Sequence, residues 1–364
     1  VKRFDYVSLA MAHPGCYFRR SGSTMNRRTD VATIEDVAKA AGVSRSTVSY
    51  ALSGKRSISR ETRERIEEAI AQLGFTVNAG ARALATSQTM SIGLLSQFHQ
   101  DEFAPAMLQY IRSVSDVSRE LGYDVLFVTD TDGAAAVKRI TSSNMVDGVV
   151  LLDVTHQDPR LVPLRAARQP GALIGLPGDT EDLDVFDLDF GESARVIVDH
   201  LYGMGHREII LISPPEHVFD RGGAYGWRFR DAAVERAGRY GIRIHPYYGE
   251  SQQPAITTNI NAVLDARPTA TALIVHNDAT IAALPFVLQA RGVEVPRDLS
   301  VVSLYPRDFG RIFSLHYTAV ESSPDKLARF AVQQLVRRII DPDQAGPAVV
   351  KFIAPELVNR GSTA

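Results

Sequence analysis

Six consecutive residues, Arg45-Ser46-Thr47-Val48-Ser49-Tyr50, place a guanidinium, three hydroxyls and a phenol within two helical turns. A guanidinium can bond a guanine edge bidentately, which makes Arg45 the candidate base reader. Small hydroxyl side chains contact phosphate as readily as bases, so Ser46, Thr47 and Ser49 stay open between the two roles, with Tyr50 beside them. Lys55, Arg56 and Arg82 are candidate phosphate or groove contacts whose contribution would fall with salt. A second chemistry lies farther along. Asp189 follows VFDL and Asp278 follows ALIVHN, each between an apolar run and a helical pattern. A carboxylate there can bond a ligand outside the end of a strand or cap the following helix. The ligand role is the stronger reading at Asp278, and the cap at Asp189. Phe98, Phe103, Phe219, Trp227 and Tyr305 can line a pocket or equally fill core and rim. No nucleophile elbow, phosphate loop or zinc-protease pattern occurs, so no catalytic residue, cofactor or metal is expected. His206 and His276 are read as hydrogen-bonding histidines, and His99, Asp101 and Glu102 as a solvated loop.

The first group needs helices to hold it. Thr33 with Asp36 has the form of a capping box, and Ile34, Val37, Ala38 and Ala41 recur at helical spacing until Gly42. Val43 plugs the turn, Ser44 caps a second helix, and Val48, Ala51 and Leu52 return its apolar face to the first. A third helix runs from Ser59 to about Leu73, presents Ile66, Ala69, Ile70 and Leu73, and stops at Gly74. This is the arithmetic of a helix-turn-helix, in which the second helix offers its first residues to base edges. Thr33 and Ser44, at helix starts, join the candidate DNA contacts.

The ordered series TIEDVAKAAGVS-x-x-TVS-x-ALSG, ISRETRERI and GF-x-x-NAGARALA is similar to the head of the lactose-repressor-like (LacI/GalR) family of bacterial transcription regulators. The resemblance implies a homodimer that binds a pseudo-palindromic double-stranded DNA operator. It also implies a hinge helix over residues 78–85, capped by Asn78, in the minor groove, with Leu84 wedged into a base step. Eight residues containing Gly80 are too short to be a stable helix in water, so DNA and the partner hinge would have to order them. Val77 stands where the family usually has proline, and Tyr50 where many members have arginine.

The 364-residue chain exceeds one ordinary domain, and its composition, 45% hydrophobic and 23% charged, is globular. Its net charge of −2 hides an asymmetry. Residues 1–89 carry 14 Lys and Arg against 8 Asp and Glu, and the remaining 275 carry 26 against 34. A basic front on an acidic body suits a nucleic-acid-binding head on a receptor that would not itself favour DNA. A single cysteine, Cys16, precludes an intramolecular disulfide, and no apolar run reaches membrane-spanning length. A cytoplasmic protein without membrane association is expected. Residues 1–30 read as a disordered extension, with Met25 as an alternative start.

From Met90 short apolar runs alternate with amphipathic helices, which argues for parallel, doubly wound sheets in two lobes. Strands are predicted at Ser91–Leu95, Asp124–Val128, Gly148–Leu152, Ala172–Leu176, Val185–Leu188, Ile209–Ile212, Ile242–Ile244, Ala272–Val275, Ser300–Leu304, Tyr317–Val320 and Val349–Ile353. Residues 200–213, 277–283, 291–303 and 355–364 extend the family resemblance. They imply a periplasmic-binding-protein-like effector domain of two Rossmann-like lobes joined by three crossovers, with a small ligand between them. The expected fold is thus an all-α helix-turn-helix head (31–76), a hinge and linker (77–89) and an α/β effector domain (90–364). The first lobe would hold about 90–188 and 321–341, the second about 189–320 and 342–364. Candidate effector contacts are Phe103, Asp189, Arg221, Trp227, Asp278 and Tyr305. Sugar-binding relatives usually carry an arginine where Gly223 stands, with Arg221 nearby but out of register, and aspartates where Tyr305-Pro306 stands. A sugar is therefore one option for the effector and not an inheritance. No leucine-heptad tail follows, which favours a dimer over a tetramer. The implied function is a transcription regulator that acts as a repressor, and the alternative is a cytoplasmic solute-binding module without gene control.

Overall fold

The computed structural model describes residues 32–53, 56–75, 88–99, 103–314 and 316–364. They fall into two compact units, divided between Asn78 and Ala79. The leader, Lys55, Val77, Asn78, Arg82, Leu84 and Glu102 lie outside the described residues.

In the smaller unit, α1 (Ile34–Ala41), α2 (Arg45–Ser53) and α3 (Arg60–Leu73) enclose a core of Val37, Ala38, Ala41, Val48, Ile66 and Ala69. So few buried side chains leave a large role for helix ends. Thr33 and Asp36 form the reciprocal capping box, with the Thr33 amide 2.8 Å from Asp36 Oδ2. Ser44 Oγ accepts from the Thr47 amide at 3.1 Å, and Ser59 Oγ from Thr62 at 3.2 Å. Gly42 and Gly74 end α1 and α3 at φ of 65° and 59°, a conformation costly for a residue with a Cβ. One expectation fails: Leu73 is 39% exposed, because α3 has already met α1 through Ile66 and Ala69.

The larger unit holds two six-stranded sheets, ordered β11-β5-β4-β3-β1-β2 and β12-β10-β9-β8-β6-β7. The first contains β1 (Ser91–Leu95), β2 (Asp124–Val128), β3 (Gly148–Leu151), β4 (Gly171–Ile174), β5 (Asp184–Leu188) and β11 (Val350–Ile353). All of its pairings are parallel. The second contains β6 (Glu208–Ser213), β7 (Arg243–Tyr248), β8 (Ala272–Val275), β9 (Ser300–Pro306), β10 (Thr318–Ser322) and β12 (Leu357–Val358), the last antiparallel to β10. Strands such as GVVL and ALIV are apolar throughout because each sheet is covered on both faces.

The chain passes between sheets after β5, β10 and β11. Residues 342–364 therefore do not stay together in the second lobe. β11 completes the first sheet beside β5, and only β12 returns to the second. Asp184 draws β11 there: its carboxylate accepts from the Val349 amide at 2.9 Å and binds Arg338 of the helix Pro324–Ile340. The strand predicted at Ile242–Ile244 is found at Arg243–Tyr248, and β9 continues through Tyr305 and Pro306. Among the described residues no helix is long and apolar enough to cross a membrane.

Candidate functional site

On the smaller unit, the start of α2 is the exposed chemical surface. Val48 is fully buried, which fixes the roll of the helix and leaves Arg45, Ser46 and Tyr50 exposed and Ser49 partly so. Ser44, Ser46 and Thr47 hydroxyls meet at 2.7 and 2.8 Å, a cluster that orders the N-terminal turn. The Arg56 guanidinium rests 5.5 Å from the Tyr50 ring centre, so the candidate groove residues of α2 and the following loop share one surface. Thr33 is exposed at the start of α1 but is engaged by Asp36, and a second partner would have to share its hydroxyl.

In the larger unit, a cleft of about 220 Å³ opens at the carboxyl ends of both sheets. Leu152 to Val154 follow β3, Ile174 to Leu176 close β4, Asp187 is in β5, His276 to Ala279 follow β8, and Leu304 to Pro306 end β9. Parallel strands that point the same way deliver these residues to one edge, the place where doubly wound sheets hold ligands. Asp278 belongs to this wall, and the capping question there is settled by its neighbour. Asn277 Oδ1 accepts from the Thr280 amide at 2.8 Å, so Asn277 is the cap of the helix Asp278–Arg291 and the Asp278 carboxyl is left to the cleft. Burial raises Asp278 to about 7.

Asp187 is buried between the sheets, and Arg228 from the helix Ala224–Arg239 binds it at 2.6 Å. Burial raises it to about 6, with the arginine opposing. Asp153 is raised by burial as well, against the pull of Arg160, His99 and Arg221. Its φ of 49° is left-handed, an uncommon state for a residue with a side chain that holds the carboxyl at the strand end. His276 is 5% exposed and ringed by Phe190, Tyr225 and Phe229; burial alone lowers it to about 3, so it is a neutral imidazole. Its Nδ1 has no hydrogen-bond partner among the described residues. His206 does bond, with Nδ1 2.8 Å from Thr271 Oγ1.

Of the six candidate effector contacts, Phe103, Asp278 and Tyr305 line this cleft. Asp189 does not: its carboxylate caps the helix Phe190–Gly203 through the Glu192 amide at 2.9 Å. Trp227 packs edge-on against His156, with ring centres 5.7 Å apart, outside the lining. Arg221 is also outside the lining, at the end of the helix Glu216–Asp220, and its charge lowers the Asp153 carboxyl against the effect of burial. Phe98 pairs with Phe127 and Phe219 with Tyr248, away from the cleft wall. The residues that sequence reading missed are Tyr110, Asp153, Asp187 and Arg228. The signal was present for one of them, since Asp153 is a lone carboxylate in the apolar run GVVLLDV, whereas Asp187 stands between Asp184 and Asp189 and is not singled out by its neighbours.

Known proteins resemble both units. The model for bacterial regulatory proteins of the lacI family matches residues 33–78, and that for a periplasmic binding protein-like domain matches 198–363. The HTH-type transcriptional repressor PurR of Haemophilus influenzae is 27% identical over 340 residues, covering 91% of this chain and 98% of its own. The HTH-type transcriptional regulator CelR of Thermobifida fusca is 29% identical over 315 residues, covering 84% and 92%. A lac repressor dimer bound to operator and the anti-inducer ONPF superposes with a TM-score of 0.77 at 22% identity, over 91% of this chain and 99% of that one. A CelR–cellobiose complex does so with a TM-score of 0.64 at 24% identity, over the same shares. The two structural matches speak to fold.

Proposed function

Since this chain belongs to the lacI family of bacterial regulatory proteins, we propose that it is a repressor that binds a pseudo-palindromic operator as a homodimer and is switched by a small molecule in the inter-sheet cleft. The observation that carries the reading is the pairing, in one chain, of an α2 whose polar start is exposed with a receptor whose cleft gathers buried polar groups. Arg45 reads a base edge, with Ser46, Thr47, Ser49 and Tyr50 at bases or phosphates. Thr33, Ser44, Lys55 and Arg56 hold the backbone, and Asn78, Arg82 and Leu84 form the hinge contacts in the minor groove. Residues 31–76 are the head, 77–89 the hinge and linker, and 90–364 the effector domain. Asp278, Phe103 and Tyr305 contact the effector. A ligand that prefers one relative orientation of the two lobes shifts DNA affinity by its differential binding to the two states. The protein works in the cytoplasm and carries out no turnover.

The test is fluorescence anisotropy of the full chain with duplexes from upstream of its own gene. A salt-dependent preference for an inverted repeat over scrambled duplex, lost in Arg45→Ala, is the expected result. Equal binding to all duplexes would refute the proposal, and ligand binding without any DNA preference would leave a solute-binding module in its place.

A further inference from the structure

The cleft is unusual in its charge. Among the described residues that line it there are three carboxylates, Asp153, Asp187 and Asp278, and no lysine or arginine. Two histidines, His217 and His276, and three tyrosines are its other ionisable side chains, and His276 is neutral. Asp187 is already matched by Arg228, which enters from behind the lining. Asp278 has no comparable partner: burial alone accounts for its perturbation, with no cation opposing it. A carboxylate held in an apolar wall without a countercharge is costly unless something supplies one. His276 points the same way, as a side chain 5% exposed that lines the cavity with an imidazole nitrogen unpartnered. Aromatic faces fill much of the remaining wall, from Phe103, Tyr110, Phe190, Tyr225 and Tyr305.

Carboxylates beside aromatic rings form a receptor for an organic cation. The chain shows this chemistry with its own arginine. Arg228 binds Asp187 at 2.6 Å while its guanidinium lies 5.5 Å from the Phe190 ring centre. An anionic metabolite would meet three carboxyl groups and no lysine or arginine among the described lining residues, so charge disfavours acids and phosphorylated sugars. We propose that the effector is a small organic ammonium ion whose charge is taken by Asp278 and whose carbon frame lies against the aromatic wall. This deepens the regulator reading and rests on it for the meaning of the word effector, although the binding itself does not.

Calorimetric titration of the full chain with matched pairs tests it: putrescine against 1,4-butanediol, choline against 3,3-dimethylbutan-1-ol, and glucosamine against glucose, at neutral pH. At least one cation is expected to bind about tenfold or more tighter than its uncharged counterpart, about 1.4 kcal/mol. Asp278→Asn should erase most of that difference. A neutral member that binds as well as its cation, or the absence of any cation binding at millimolar concentration, overturns the proposal, and the wild-type pairs decide this even if the variant does not fold. The same preparation is assayed on DNA. Operator binding with a cleft that prefers neutral ligands would reject only the cation, whereas cation binding without any DNA preference would reject only the regulator.

Discussion

The two units solve the same problem, presenting polar chemistry on a stable frame, at very different scales. The head buries six apolar side chains and depends on Thr33, Ser44, Ser59, Gly42 and Gly74 at its helix ends. The receptor buries two sheets on both faces and places its polar groups inside. In the head, the candidate base readers Arg45 to Tyr50 sit on a helix whose start is set by Ser44, three residues before the Thr47 amide that it accepts from. In the receptor, neighbours in the cleft come from strands more than a hundred residues apart, as Asp153 and Asp278 do. The head thus tolerates changes on its surface and little loss of core, while the receptor is most sensitive where a buried charge loses its partner.

The sharpest test of that contrast is Arg228→Met. It leaves Asp187 buried and unpaired, and the receptor should lose about 3–5 kcal/mol in chemical denaturation. The head transition should not move. A loss under about 1 kcal/mol would mean that water reaches Asp187 and that the cleft floor is wetter than its burial implies. The reciprocal change is Ile66→Ala, which removes a fully packed residue from the small core at a cost of about 2–5 kcal/mol. DNA binding should disappear while effector titration is unchanged, and parallel loss of both would show that the units are not independent. Thr33→Ala breaks the capping box and should cost about 1 kcal/mol, read as a lower melting point of the head alone.

The last test is a pH dependence confined to the receptor. Asp278 and Asp187 are raised to about 7 and about 6, from an ordinary value of 3.8. Between those limits the folded chain holds protons that the unfolded chain has released, so the contribution of these two groups to stability falls as pH rises from about 4 to about 7. Below that window both states are protonated and the contribution is intact. Receptor melting of wild type minus that of Asp278→Asn should show a downward slope over this range. A flat difference would mean that Asp278 is solvated in the folded chain. A bound cation should flatten the slope, because it favours the ionised carboxylate.

Much of the head was legible because its rules are local. Capping at Thr33 and Ser59, the stops at Gly42 and Gly74 and the inward turn of Val48 each follow from neighbours within one or two helical turns. Leu73 escaped because its exposure depends on where α1 ends. In the receptor, alternation of apolar runs and helical patterns was enough for parallel, doubly wound sheets in two lobes, and the family resemblance added Rossmann-like lobes with a ligand between them. The membership of β11 could not follow, since it is decided by Asp184 and Arg338 holding residues that are distant in the chain. The same limit explains Asp189 and Asp278, which look alike in sequence. Asp189 caps its helix, while Asn277 relieves Asp278 of that duty.

By itself, then, the order of residues determined which segments are helix or strand, which faces are apolar, and which short surface of α2 carries donors. Those are consequences of backbone periodicity and of side chains reaching three or four positions along the chain. Only the tertiary structure decided which carboxylates line one cleft, which of them has an arginine and which has none. Burial and partnership are properties of the packed strand ends, and it is they that set the charge of the cleft.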